Sequence, residues 1–175
     1  MPRTARFATR CRTDRRFAMP GKRRRGACTP LRIDYMPDPM RSLDDIREEY
    51  EFLDGDERYR LLIELGRELD AMPDALKTDA TKVRGCSASV WVYPTTRDDG
   101  SLHFLADSNA AITKGIVALV LSAVQDRPAT EVAETDIAAA LAPFDLKNQL
   151  SSNRTQGIPN MIALIRETAA RYAAG

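Results

Sequence analysis

The stretch "AAITKGIVALVLSAV", residues 110–124, constrains the fold more than any other part of the chain. Ala111, Ile112, Gly115, Ile116, Leu119, Val120 and Ala123 give a helix over residues 109–125 an apolar face wider than a surface helix carries. Such a helix cannot turn most of its circumference to water, so it predicts the centre of a core on which the other elements pack. It is too short for the roughly 20-residue span of a membrane helix, and it carries Lys114. Ser108 is placed to cap it, Asp107 to favour its N-terminus and Pro128 to end it.

Just upstream the apolar period changes from 3.6 to 2. In "SASVWVYP", residues 87–94, Ala88, Val90 and Val92 alternate with Ser89, Trp91 and Tyr93, and the β-branched and aromatic content favours a strand. "TTRDDG" (residues 95–100) predicts a turn, and "SLHFLADS" (residues 101–108) an antiparallel return strand with Leu102, Phe104 and Ala106 on one face. "KVRG" (residues 82–85) adds a third, very short strand. Nearer the N-terminus, Ser42 and Asp45 approximate a capping box ahead of Leu43, Ile46, Tyr50 and Leu53 at helical spacing. "DGD" (residues 54–56) breaks that helix, and a second follows with Tyr59, Leu62, Ile63, Gly66 and Leu69 on one side. The short break predicts an antiparallel helical pair. Towards the C-terminus, "TDIAAALAPF" (residues 135–144) predicts a short helix stopped by Pro143, and "LSSNRTQGIPN" (residues 150–160) a loop. Ile162, Ile165, Ala169 and Tyr172 mark a last amphipathic helix. The fold class is therefore α+β: a small antiparallel sheet of two to three strands packed by helices, large enough to hold together without disulfides or a metal.

The formal net charge of +1 conceals an asymmetry. Residues 1–35 carry 11 of the 26 basic and 2 of the 25 acidic residues, a net of +9 that leaves −8 on residues 36–175. The extension has Pro2, Pro20, Pro30, Gly21 and Gly26 and few large apolar residues, so residues 1–35 read as a disordered basic extension and residues 36–175 as the folded domain. Charge alone would let "KRRRG" (residues 22–26) touch nucleic acid or an anionic membrane, but a solvated tail is the simpler reading. The extension is Arg-rich and acid-poor, as transit peptides are, yet contains no serine. "DRRF" (residues 14–17) is not followed by the apolar stretch an export signal needs. Met36 or Met40 is an alternative start.

Of the three cysteines, Cys11 and Cys28 lie in the extension and Cys86 in the domain. Their spacings match no zinc motif, and His103 is the only histidine, so a Cys/His metal cage is poorly supplied. Cys86 follows Gly85, whose backbone freedom suits a bend, which places the thiol at a strand start or loop tip rather than in mid-core. Lys82 and Arg84 lie close in sequence and would favour the thiolate, the nucleophilic form. Acyl chemistry would need His103 as a base; accepting and donating sulfur needs none. Arg154, in the turn-rich segment, suits a partner's carboxylate through its planar fork. No phosphate-binding glycine loop is present.

Four segments together carry a family resemblance: "YRLLIELGREL" (residues 59–69), "KVRGCSASVWV" (residues 82–92), "ADSNAAITKGIVALV" (residues 106–120) and "LSSNRTQGIPNMIALIR" (residues 150–166). In order and spacing they resemble the SufE family of sulfur acceptors in iron–sulfur cluster assembly, over residues 40–173. The resemblance implies a SufE/IscU-like fold. It implies that Cys86 takes persulfide sulfur from a cysteine desulfurase of SufS type, stimulates that enzyme and passes sulfur to a SufB-containing scaffold complex. It implies a sulfurtransferase-like acceptor without a cofactor of its own; pyridoxal phosphate belongs to the desulfurase. Arg154 matches an arginine of the family's S-R-x-Q-G segment, which implies a docking role. Asn153 stands where that segment usually has Ser, Ser87 where Gln is frequent and Ala88 where Ser is frequent. The expected setting is cytoplasmic, or an organelle if the extension is a transit peptide, with no membrane or nucleic-acid partner and a monomer or homodimer. The alternatives are an iron–sulfur or metal scaffold of IscU-like fold, a thiol peroxidase, and a nucleic-acid binder acting through "KRRRG".

Overall fold

The computed structural model describes residues 40–174, with only the backbone of Gln149, Asn153 and Arg154. The basic extension with Cys11 and Cys28 lies outside the described residues. In chain order the elements are α1 (Leu43–Phe52), α2 (Gly55–Glu68), β1 (Val90–Thr96), β2 (Leu102–Ser108), α3 (Ala111–Ser122), α4 (Ala129–Glu134), α5 (Ile137–Leu141), α6 (Leu146–Gln149), α7 (Ser152–Thr155) and α8 (Ile158–Ala174). Single 3-10 turns stand at Asp74–Leu76 and Ala142–Phe144. The fold is α+β, as expected.

Helix α3 is the core element. Thr113 and every residue from Gly115 to Leu121 are buried. One side of α3 carries α2, its main helical partner, and the other faces the sheet. Two glycines make the α2–α3 contact. A Cβ built on Gly115 would stand 1.9 Å from the Leu62 carbonyl oxygen, and one on Gly66 2.8 Å from the Gly115 nitrogen. The two backbones thus meet with no side chain between them. Leu61, Leu62 and Leu65 are buried around this crossing, whereas Ile63 and Tyr59 are only half-buried. The buried face of α2 is therefore rotated from the one its sequence pattern predicts, towards the glycine contact.

Helix α1 is not half of an antiparallel pair with α2. Ser42 caps it, accepting from the Asp45 amide at 3.2 Å, and Tyr50 packs edge-to-face on Phe144, with ring centroids 5.1 Å apart. The break between α1 and α2 is itself a full capping box. Asp54 accepts from the Glu57 amide at 3.0 Å, and the Glu57 carboxylate accepts from the Asp54 amide at 3.2 Å. The acidic "DGD" turn starts a helix as much as it stops one.

β1 and β2 pair antiparallel from Val90↔Ser108 to Thr96↔Leu102. The predicted alternation holds, with Val90, Val92, Leu102, Phe104 and Ala106 buried. The strand begins at Val90, not Ser87. "KVRG" contributes a single antiparallel bridge, Lys82↔Trp91, with Val83 N–H donating to the Val90 carbonyl at 2.8 Å. Ser108 ends β2 rather than capping α3; its hydroxyl donates to the Ser89 carbonyl at 2.9 Å, and Ala110 takes the cap position.

The C-terminal third is more helical than its sequence pattern predicts. Helix α4 packs on α8 around Val132 and Ile165, both fully buried. The stretch 135–144 is helix α5 followed by the 3-10 turn holding Pro143. The expected loop 150–160 contains α7 and the start of α8, because Pro159 sits in the first turn of α8, where its missing N–H costs nothing. In α8, Met161, Ile165, Thr168 and Ala169 are buried, whereas Tyr172 is exposed.

The glycine crossing predicts an order of severity. Gly115→Ala is expected to destabilise by about 3 kcal/mol, because backbone rather than a movable side chain must give way. Gly66→Ala is expected to cost about 1 kcal/mol, its steric penalty being offset by alanine's higher helix propensity. Urea unfolding of the two variants checks the order.

Candidate functional site

Buried Val83 and Val90 hold the base of a six-residue loop, residues 84–89, closed by the Val83–Val90 hydrogen bond. Gly85 turns the chain at φ +78°, a left-handed value that residues with a Cβ resist, and delivers Cys86 at the tip. The predicted loop-tip placement of Cys86 matches this geometry. The thiol is half-buried between exposed Gly85 and Ser87.

The loop is tied on both flanks. On the sheet side, Ser89 N–H donates to Asn109 Oδ1 at 3.0 Å and Asn109 N–H donates to the Ser89 carbonyl at 3.2 Å. On the other side it meets the start of α8. Asn160 Nδ2 donates to the Arg84 carbonyl at 2.9 Å, and a Cβ on Gly157 would stand 2.2 Å from Cys86 Sγ. Thr113, Ile116, Gly157, Ile158 and Met161 line a recess of about 10 Å³ beside the thiol. That is room for at most one water.

Burial pushes the Cys86 thiol above the ordinary value of 9.0, and no cation among the described side chains offsets it. The expectation that Lys82 and Arg84 favour the thiolate is therefore corrected. Both are exposed, and the Arg84 carbonyl rather than its guanidinium is what the site uses. At neutral pH the resting thiol is protonated.

His103 is no partner for Cys86. It pairs with Thr95, near the turn end of the hairpin, five residues along β2 from the Val90↔Ser108 end beside the thiol loop. At roughly 3.3 Å per residue that is about 16 Å along the strand. The ring is buried and fully engaged: Nδ1 lies 2.7 Å from Asp126 and Nε2 3.1 Å from Asp70, with Arg97 and Gln125 also in reach.

Asp107 does more than favour a helix terminus. Its carboxylate joins Lys77 at 2.7 Å and Lys114 at 2.9 Å, tying the 3-10 turn region to β2 and α3. Burial pushes this carboxyl up, but the hydrogen bonds from Lys77, Lys114 and the Ser108 amide outweigh it and bring it down to about 2.

Arg154 falls in α7, and only its backbone is described. Beside α7 an apolar groove of about 540 Å³ runs between α5 and α8, lined by Leu141, Leu146, Ile158 and Ile162 with Lys147 and Arg166 among its polar residues. Ile158 faces both this groove and the thiol recess. Among the described residues no group of three His, Cys, Asp or Glu could hold a metal ion, and no helix is long and apolar enough to cross a membrane. The metal-scaffold alternative thus finds no ligand set there.

Sequence reasoning missed Gly157, Asn160 and Asn109. For the first two a signal existed: "GIP" places proline in a first helical turn, which would have started α8 early enough to put both residues at its N-terminus.

These features define a small α+β domain that presents one thiol on a short tethered loop. Residues 44–169 match the SufE Fe-S metabolism associated domain. The chain belongs to the SufE family. It is 38% identical to a SufE-like protein of Rhizobium etli over 139 residues, covering 77% of this chain and 94% of the relative. It is also 38% identical to the sulfur acceptor protein CsdE of Escherichia coli over 103 residues, covering 59% of this chain and 70% of CsdE. The solution structure of a hypothetical protein from Thermus thermophilus shares the fold, with a TM-score of 0.62 at 14% identity over 76% of this chain and 96% of that one.

Two pH dependences follow. Alkylation of Cys86 by iodoacetamide is expected to rise about tenfold per pH unit from pH 7 to 9 without levelling, since only the thiolate reacts. Asp107, with its carboxyl lowered in the folded state, contributes stability above pH 4 that is lost as pH falls towards 2. Asp107→Asn is expected to remove about 2 kcal/mol of that pH-dependent stability, read from urea midpoints between pH 5 and 2.

Proposed function

We propose that the protein is a sulfur acceptor that carries sulfane sulfur on Cys86. The observation that supports this most directly is the presentation of Cys86: a thiol at a loop tip, half-exposed, with neither a base nor a metal ligand beside it among the described residues. Thiol–persulfide exchange asks for that and no more. CsdE, by its name a sulfur acceptor, lends further support.

In the proposed step the donor is the persulfide of a cysteine desulfurase. Cys86 loses its proton to solvent, and its thiolate attacks the outer sulfur. A Cys86 Sγ–S bond forms, the donor's S–S bond breaks, and the donor cysteine leaves as a thiolate that takes up a proton. No oxidant or reductant is consumed. Because burial disfavours the thiolate, a partner that draws the thiol out of its recess would speed the exchange. Clearing the persulfide frees the desulfurase for another turnover, which accounts for the proposed stimulation. The sulfur would then pass by the same exchange to a SufB-containing scaffold. Arg154, on α7 next to the apolar groove, is proposed to dock a carboxylate of the desulfurase. The same reading places the protein in the cytoplasm, with residues 1–35 as an appendage to the acceptor domain.

The test is intact-mass and peptide analysis after incubation with cysteine and a SufS-type desulfurase. One additional sulfur atom on Cys86 is expected, together with faster sulfide or alanine production. Cys86→Ser is expected to carry no sulfur and to leave the desulfurase at its basal rate. If Cys86→Ser stimulates and loads as well as the parent, the reading is wrong.

A further inference from the structure

The Cys86 loop has two unequal flanks. Its base and sheet side are held by Val83–Val90 and by the reciprocal Ser89–Asn109 bonds, all anchored in the sheet and its junction with α3. On the Arg84 side, the Arg84 carbonyl accepts from the Asn160 side chain of α8, 76 residues away in sequence. Close packing marks the same contact. A Cβ on Gly85 would stand 2.3 Å from Asn160 Nδ2, so a side chain at residue 85 would displace the carboxamide from its place beside the loop. One helical turn back, Gly157 packs against Cys86 Sγ itself. With about 10 Å³ in the recess, the inner side of the thiol has little space to spare for an added sulfur while the loop is seated.

We infer that Asn160 is a positioning residue for Cys86: its carboxamide, bonded to the Arg84 carbonyl, latches the loop onto the α8 N-terminus and sets how far the thiol is exposed to a sulfur donor. The inference rests on the acceptor reading for its biological meaning, but not for its geometry. Asn160 is exposed, so its hydrogen bond to the Arg84 carbonyl is open to competition from water. Such a bond contributes about 1 kcal/mol, roughly a fivefold bias towards the seated loop. That is strong enough to protect the thiol and weak enough for a docking partner to release. Among the described residues the recess lining holds no titratable side chain other than Cys86, and burial is what raises the thiol.

The experiment is iodoacetamide alkylation of Cys86 in the full chain from pH 7 to 10, for the parent, Asn160→Ala and Asn160→Asp, with melting temperature measured alongside. Asp keeps the shape of the side chain but cannot donate to the carbonyl. Asn160→Ala is expected to alkylate roughly three to ten times faster at pH 7.5, with the apparent thiol pKa moved down towards the ordinary value as burial is relieved, and Asn160→Asp to alkylate faster than the parent but less so than Ala, because its carboxylate disfavours the thiolate. Asn160→Gln, which restores a donor on a longer arm, is expected to recover part of the protection. Parent-like rates and pKa in both Ala and Asp variants would overturn the inference, as would a faster rate accompanied by a melting temperature so lowered that all buried groups react. Sulfur loading of the parent by a desulfurase is read separately. If alkylation responds as expected but the parent never acquires sulfur on Cys86, the latch stands and the acceptor reading falls.

Discussion

The contact between the backbones of α2 and α3 at Gly66 and Gly115 is the constraint on which the rest of the structure depends. Helix α3 must be covered on nearly all sides, and a side chain at either glycine would hold α2 away from it. With α2 seated, Ile116, the residue after Gly115 and about 100° further around the helix, is fixed as part of the floor under Cys86. Placement of the thiol loop is thus referred, through one residue, to a helix crossing that carries no chemistry. The core is rigid at that point because backbone meets backbone, and protein interiors transmit such shifts rather than absorb them.

Charge is used at both ends of the hairpin, and at neither end for reactivity. At the turn end, His103 is held among Asp70, Asp126 and Arg97. At the other, Asp107 gathers Lys77 and Lys114 beside the start of α3. These clusters satisfy polar groups that the small sheet would otherwise leave exposed at its ends. The thiol between them and α8 is left in apolar surroundings, neutral at rest. Such a thiol differs from those of enzymes whose cysteine is kept ionised by a neighbouring histidine or helix terminus.

Much of this was legible in the sequence, for local reasons. The change of period at residue 88, the apolar helix and the Gly85–Cys86 bend are short-range signals, and the strand parity they predict places Val90, Val92, Leu102, Phe104 and Ala106 correctly. What was not legible depends on residues far apart in the chain. Asn160 reaches Arg84 and Gly157 reaches Cys86 only because α8 returns to the loop, which no local pattern encodes. Lys82 and Arg84 look like an electropositive surround when read along the chain, whereas in space their side chains face solvent. Asp107, read as a helix-end charge, has its second lysine thirty residues upstream. The rotated face of α2 has the same origin: its glycine approaches α3 because α3 has one too.

The unequal tethering of the 84–89 loop has a consequence for how the molecule can move. Its hinge points, Val83 and Val90, are buried and paired in the sheet, so displacement of the tip stops there and is not passed to the core. Local opening and global unfolding are then separate events on separate energy scales, the first set by a surface hydrogen bond and the second by the packing of α3. Amide hydrogens of the tip and of Val92 in the sheet should therefore exchange by different routes, one insensitive to denaturant and the other steeply dependent on it. A loop built this way can expose its thiol many times without risking the fold.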